Sequence, residues 1–202
     1  MNAPDLILAS TSRYRAEQLA RLGVPFRQAA PTCDEEALKR EFLASNVDLA
    51  DRPRALAQFL ARAKALSVAA GAPHAVVIGA DQLACLDSDI LGKPGDPERA
   101  AATLARMAGR THRLVTAVCV VAAGREHPFC DVTALTMRRL CAAAIARYIA
   151  ADNPIDCAGA YKLERRGIAL FSRIDSADQT AITGLPLIAL ADVLATLGFD
   201  LP

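Results

Sequence analysis

Two short runs constrain the chain most. Leu6-Ile7-Leu8-Ala9 and Ala75-Val76-Val77-Ile78 are apolar at every position. A half-exposed strand alternates polar and apolar residues, whereas a run with no polar position has no face to give to water. Both runs therefore predict strands buried on both sides, as in a sheet covered by helices. Each leads into polar residues, Ser10-Thr11-Ser12 after the first and Gly79-Ala80-Asp81-Gln82 after the second. The carboxyl edge of such strands is where open α/β sheets usually hold a ligand.

The remaining pattern alternates in kind. A helical stretch follows Ser12 and closes at Leu22-Gly23, and 26–30 reads as a second strand. Residues 31–52 are polar and read as loop with a short helix. The spacing of Leu56, Phe59, Leu60, Ala63, Leu66 and Ala70 predicts a helix over 54–70. A hairpin near Asp87 to Asp89 leads to Leu91-Gly92-Lys93-Pro94. The next helix has Asp96 as N-cap, Pro97 at its first position and Gly109 past its end. Residues 113–121 and 129–140 flank Gly124 and read as a long antiparallel pair. A helix over 142–151 stops at Asp152-Asn153-Pro154, and 156–182 holds short strands and turns. The last helix begins near Pro186, with Thr183 as candidate cap, and Gly198 closes it. Strand–helix units mixed with a long hairpin predict an α/β class with a mixed sheet.

Charge and cysteine usage narrow the function. The 202 residues carry 23 Lys or Arg against 22 Asp or Glu, so a broad footprint for a polyanion such as nucleic acid is disfavoured. An anionic ligand must be met by a local cluster. No run approaches a membrane span, and the N-terminus lacks the basic and long apolar regions of a signal peptide. The six cysteines are scattered with no C-x-x-C pair, which predicts free thiols and a cytoplasmic protein.

Four constellations could carry chemistry. Ser10 to Arg15 joins a buried strand to a helix, where free backbone N–H groups, hydroxyls and guanidinium groups form an anion cradle; a serine cap with surface arginines is the ordinary alternative. Arg15 shares the stripe of Leu19 and Leu22, so its guanidinium needs an anionic partner. Asp81, just past an apolar strand, could orient a metal or take a proton from water, or simply cap a turn. Asp34-Glu35 reads from the sequence alone as a solvated surface pair. Lys64 borders the apolar stripe of its helix, and Lys93 sits in a Gly-Lys-Pro turn. Both suit a phosphate, or snorkel. In Cys157-Ala158-Gly159-Ala160-Tyr161-Lys162-Leu163-Glu164 the small residues allow close backbone approach. Glu164, beside Lys162 and Arg165, reads by default as part of a surface salt bridge.

Taken in order, Leu8-Ala9-Ser10-Thr11-Ser12, Arg15, Asp34-Glu35, Ala63-Lys64-Ala65, Gly79-Ala80-Asp81-Gln82, Leu91-Gly92-Lys93-Pro94, Gly159-Ala160-Tyr161 and Thr183-Gly184-Leu185-Pro186 resemble the Maf family of nucleotide pyrophosphatases. The resemblance covers nearly the whole chain. It implies an elongated α/β fold like that of inosine triphosphatases, one domain over 1–202 with two lobes around a central cleft. The implied activity is hydrolysis of a nucleoside triphosphate to the monophosphate plus diphosphate with a divalent metal, Mg²⁺ or Mn²⁺. It also suggests a homodimer. Residue by residue, Asp81 matches the catalytic proton acceptor and Glu35 an acidic position assisting metal or water. Ser10, Arg15, Lys64 and Lys93 match the phosphate contacts, and Tyr14, Gln82 and Glu164 the positions that set base preference. The usual Ser-Pro-Arg-Arg, Asp-Thr and Gln become Ser12-Arg13-Tyr14-Arg15, Asp81-Gln82 and Glu164. This combination is similar to the branch that hydrolyses 7-methyl-GTP rather than dTTP or UTP, although that branch more often carries Trp at position 14. The chemistry agrees. N7-methylation makes guanine cationic, a cation stacks on an aromatic face, and a carboxylate accepts from N1–H and the exocyclic amine. The alternatives are a dTTP, UTP or other non-standard nucleotide pyrophosphatase, or a regulator of division that binds a nucleotide without hydrolysing it.

Overall fold

The computed structural model describes residues 4–45 and 52–201. In chain order the elements are β1 (Leu6–Ala9), α1 (Arg13–Ala20), β2 (Arg27–Ala29), α2 (Glu35–Ala44), α3 (Arg52–Ala69), β3 (Val76–Leu86), β4 (Asp89–Leu91), α4 (Pro97–Met107), β5 (Thr111–Ala122), β6 (Arg125–Met137), α5 (Ala142–Asp152), β7 (Phe171–Asp175) and α6 (Leu187–Thr196). Short 3-10 turns fill the stretches around α5, β7 and α6. The strands form one sheet in the order β2-β1-β3-β5-β6-β7, with β4 paired to β3. It is mixed as predicted: β1 runs parallel to β2 and β3, whereas β4 and β7 pair antiparallel to β3 and β6.

The chain forms two compact units. The first comprises Met1–Gln82, Thr116–Asp131 and Asp178–Pro202, the second Leu83–Val115 and Val132–Ala177, and β3, β5 and β6 each supply residues to both. The first unit's core is aliphatic. Leu6, Leu8, Val76, Ile78, Val118 and Val120 from the strands pack with Leu19 of α1 and with Leu187, Leu190 and Leu194 of α6. In the second unit α4 packs on α5, and a small aromatic group forms beside them in sequence. Tyr161, His112 and Phe171 are buried with ring centroids 5.0–5.7 Å apart.

Several expectations are adjusted by local chemistry. The strand expected over 75–78 runs on to Leu86, so Asp81 and Gln82 lie within β3 rather than in a turn beyond it. The "short helix" of the 31–52 stretch is the ten-residue α2; part of that stretch lies outside the described residues. Thr183 does not cap α6. Asp178 does so from further back, its Oδ2 accepting from Ile188 N–H and its Oδ1 holding Thr180, whose hydroxyl accepts from Leu187 N–H. Asp96 caps α4 as predicted, with Oδ1 accepting from Arg99 N–H at 2.8 Å. Ala123 and Gly124, both at positive φ, make the two-residue turn that folds β6 back on β5.

Gly79 decides where α3 sits. A Cβ there would collide with the Ala61 carbonyl oxygen and lie 2.5 Å from the Ala65 nitrogen, so the helix backbone rests directly on the strand. The buried face of α3 is accordingly Leu56, Ala57, Leu60, Ala61, Lys64 and Ala65, rotated from the stripe that apolarity alone suggests. Gly79→Ala is expected to destabilise the protein by more than about 3 kcal/mol, because the obstructing atoms are backbone and cannot swing aside. Urea unfolding checks this, and a variant of wild-type stability would show that α3 has room to move.

His112 is 1% exposed, with Nε2 2.8 Å from the Tyr161 hydroxyl and Nδ1 without a partner among the described residues. Burial pushes its pKa from 6.5 down to about 4. Between those values the unfolded chain binds a proton that the folded chain does not. Stability is thus full above about pH 6.5 and falls by about 3 kcal/mol on acidification toward pH 4. His112→Gln, which does not titrate, should lack this component, so the stability gap between wild type and variant should narrow as pH falls. A gap independent of pH from 7 to 4.5 would contradict the account.

Candidate active site

The strand register aligns the first pieces. Ala9 lies opposite Gly79 in the parallel β1–β3 pair, so Ser10 leaves β1 beside the Ala80-Asp81-Gln82 stretch of β3. Ser10 Oγ accepts from Ser12 N–H at 3.1 Å and from Arg15 Nη1 at 3.4 Å. A hydroxyl that accepts twice keeps its own proton to donate. Ser12 is the N-cap of α1, its side chain accepting from Arg15 N–H. Gln28 of β2 ties the loop down, donating to Ser10 O at 3.0 Å and Ser12 O at 3.5 Å.

Arg15 is half-buried, and Nε donates to Gly184 O at 3.1 Å. The anionic contact expected for it is absent at hydrogen-bond range among the described residues. Its direct partners are a carbonyl and a hydroxyl, while Asp81 and Glu35 act from further away. Desolvation lowers its pKa, and those two carboxylates oppose the change. A guanidinium remains charged under such conditions, so α1 offers an incompletely neutralised cation anchored at two atoms.

Beside it lies a buried ion cluster. Lys64 of α3 donates to Asp81 Oδ1 at 2.7 Å, and Nζ is 2.8 Å from Glu35 Oε2. Lys64 and Asp81 are both buried, whereas the Glu35 side chain is half exposed. The close contact at Gly79 sets this geometry, since Lys64 lies on the part of α3 that rests on β3. Lys64 is thus central to the buried face rather than at its border. Asp34 and Glu35, expected as a solvated pair, divide their work: Asp34 caps α2 by accepting from Ala37 N–H at 2.9 Å, and Glu35 turns to Lys64. Burial raises the pKa of Asp81 against the attraction of Lys64 and Arg15, and Glu35 adds to the rise.

Asp81 Oδ2 is buried and has no partner among the described residues. No group of three or more His, Cys, Asp or Glu placed to hold a metal occurs among them. Asp81 Oδ1 and Glu35 Oε2 both converge on the Lys64 ammonium, and the unused Asp81 Oδ2 is an oxygen ligand of the kind a hard divalent ion such as Mg²⁺ accepts. Such an ion usually takes one or two carboxylates and completes its shell with water and substrate phosphates.

The other predicted residues are distributed differently. Gln82 donates from Nε2 to Thr116 Oγ1 at 2.8 Å and to the carbonyls of Ala181 and Ile182 at 2.8 and 3.2 Å. Its amide nitrogen thus holds the 179–183 turn. Tyr14 is exposed on α1, one residue before Arg15. Lys93 and Glu164 are exposed and belong to the second unit. Two contributors escaped the sequence reading. Thr116 donates to Ala181 O at 2.9 Å, and its signal was a lone hydroxyl in the apolar run 114–122; Gln28 had none.

Comparison with known proteins places this arrangement. The family model described as "Maf-like protein" matches residues 5–197. The chain is 47% identical over 194 residues to a 7-methyl-GTP pyrophosphatase of Bdellovibrio bacteriovorus, covering 96% of this chain and 97% of that one. It is 47% identical over 199 residues to the 7-methyl-GTP pyrophosphatase of Xanthomonas oryzae pv. oryzae, covering 98% and 100%. Against that of Xanthomonas campestris pv. campestris it is 48% identical over 200 residues, covering 98% and 99%. With the match spanning almost every residue, this chain belongs to the Maf family.

Proposed function

We propose that this chain is a nucleoside triphosphate pyrophosphatase that hydrolyses 7-methyl-GTP to 7-methyl-GMP and diphosphate. The observation that carries it is the buried Lys64 held between Asp81 and Glu35 beside the Ser10–Arg15 loop. The near full-length similarity to relatives bearing that name supports the substrate.

Ser10 O–H and the Arg15 guanidinium bind phosphate oxygens, and the hydrogen bonds to Gly184 and Ser12 keep both donors aimed before substrate arrives. Asp81 and Glu35 would hold a divalent cation, Mg²⁺ or Mn²⁺, whose charge offsets that of the triphosphate. Lys64 keeps the two carboxylates together despite their repulsion. Asp81, assisted by Glu35, takes the proton of the attacking water. The new bond forms from that oxygen to the α-phosphorus, the bond to the bridging oxygen breaks, and diphosphate leaves. Lys93 adds a phosphate contact. Tyr14 stacks on the cationic base, Glu164 accepts from its N1–H and amine, and Gln82 shapes the adjoining turn. Six free cysteines support a cytoplasmic setting, and the reading extends to a homodimer.

Rates across 7-methyl-GTP, GTP, dTTP and UTP, with and without Mg²⁺, test the assignment. We expect metal-dependent diphosphate release, fastest with 7-methyl-GTP. A preference for UTP would replace the substrate, and nucleotide binding without release would make the protein a regulator. Asp81→Asn should lower turnover at least about 100-fold with the fold retained; an active, folded variant sinks the proton-acceptor role. Lys64→Met leaves Asp81 buried beside Glu35 without its hydrogen-bonded counter-charge and should cost about 3 kcal/mol or more. That loss should be smaller at pH 5 than at pH 8, because without Lys64 the Asp81 pKa rises further, and the folded variant then gains more from proton binding on acidification than the wild type does. Equal losses at both pH values would argue against the charge account.

A further inference from the structure

Lys162 has no part in the reaction as described, yet the residue is held through both its backbone and its side chain. Its backbone N–H donates to Tyr148 Oη at 2.9 Å, and its carbonyl accepts from Arg165 and Gly167 N–H, both at 3.1 Å. Gly167 must be glycine for this, since a Cβ would collide with the Lys162 carbonyl oxygen and lie 2.7 Å from its carbon. The side chain is only 12% exposed. Nζ lies 2.8 Å from Asp156 Oδ1 and donates to Asn153 O at 3.2 Å. By default the sequence places Glu164 in a surface salt bridge between Lys162 and Arg165, but the fold turns the Lys162 ammonium to Asp156. Glu164, two residues on and exposed, has no ion pair among the described residues. The two charges still share an environment. Only Leu163 separates them along the chain.

We propose that Asp156 is a specificity-determining residue that acts through Lys162. By holding the ammonium away, it leaves the Glu164 carboxylate uncompensated for a cationic base. The inference rests on the reading of Glu164 as a base contact. Its physical content is a separation of two terms. Hydrogen bonds from guanine N1–H and the exocyclic amine are available to methylated and unmethylated guanine alike. Only the methylated base adds a positive charge, and only that charge competes with a lysine for Glu164. Release of Lys162 should therefore reduce discrimination between 7-methyl-GTP and GTP, chiefly through KM, rather than the capacity to hydrolyse either.

The experiment measures kcat/KM for 7-methyl-GTP and GTP in wild type, Glu164→Gln, Asp156→Asn, Lys162→Met and the double variant Asp156→Asn/Lys162→Met. Asp156 is exposed, and Asp156→Ser serves as its second variant. Asp156→Asn should lower the 7-methyl-GTP to GTP ratio about five-fold, the size expected of one solvated charge pair. Lys162→Met and the double variant should keep the wild-type ratio within about two-fold, because no ammonium is left to be released. A double variant as indiscriminate as Asp156→Asn would make Asp156 merely structural and overturn the proposal. So would an unchanged ratio in both Asp156 variants while Glu164→Gln lowers it. If Glu164→Gln itself leaves the ratio unchanged, the base-contact reading fails, and this inference with it.

Discussion

The missing side chain at Gly79 is the constraint on which the candidate site depends. Where a strand position has no Cβ, a helix can lie against the backbone itself, and α3 does so through Ala61 and Ala65. Those small residues form the contact surface, and Lys64 is carried with them into the interior. At that depth a lysine has few solvating partners, and Asp81, two residues beyond the glycine, is one of them. Contact and ion pair are one arrangement: shift the helix outward by a methyl group and the pair lengthens or fills with water.

An ion cluster of this kind is a poor source of stability. Two buried charges lose hydration that their attraction only partly returns, and a third, like charge from Glu35 makes the balance worse. Burial raises the pKa of Asp81 in spite of Lys64, which expresses the same tension. The cost is intelligible if the cluster is organised for a ligand. Asp81 keeps an unpartnered oxygen, Ser10 keeps a proton to donate, and Arg15 is anchored by neutral groups that leave its charge incompletely cancelled. These surplus capacities come from the end of β1, from α1 and from β3, elements whose Leu6, Leu8, Leu19, Val76 and Ile78 share one aliphatic core.

Much of the architecture was legible because its signals are local. Runs without a polar residue marked β1 and the first half of β3. Asp96-Pro97 marked the start of α4, and Gly124 the turn between β5 and β6. Where the sequence misled, a partner distant along the chain was responsible. The apolar stripe of α3 was read one step round the helix, because a lysine counts as polar until an aspartate is known to face it. Thr183 stood close before α6 in sequence, but Asp178 accepts from two N–H groups and a hydroxyl at once and serves as the cap. Glu35 looked solvated beside Asp34, since nothing in the polar stretch 31–52 tells which carboxylate turns inward. Glu164 looked like part of a salt bridge with its neighbours Lys162 and Arg165, and the fold gave Lys162 to Asp156 instead.

By itself the sequence determined the class of fold, the positions of most elements and the family. Each of these depends on hydrophobic pattern, capping chemistry or ordered motifs, all of which are properties of neighbours along the chain. Only the tertiary structure decided which of the charged residues meet. A salt bridge is set by distances of about 3 Å, and those distances follow from how closely backbones approach. Asp81 lies 17 residues from Lys64, and Arg15 lies 169 from Gly184. Packing at a glycine, not proximity in sequence, brought the first of these pairs together.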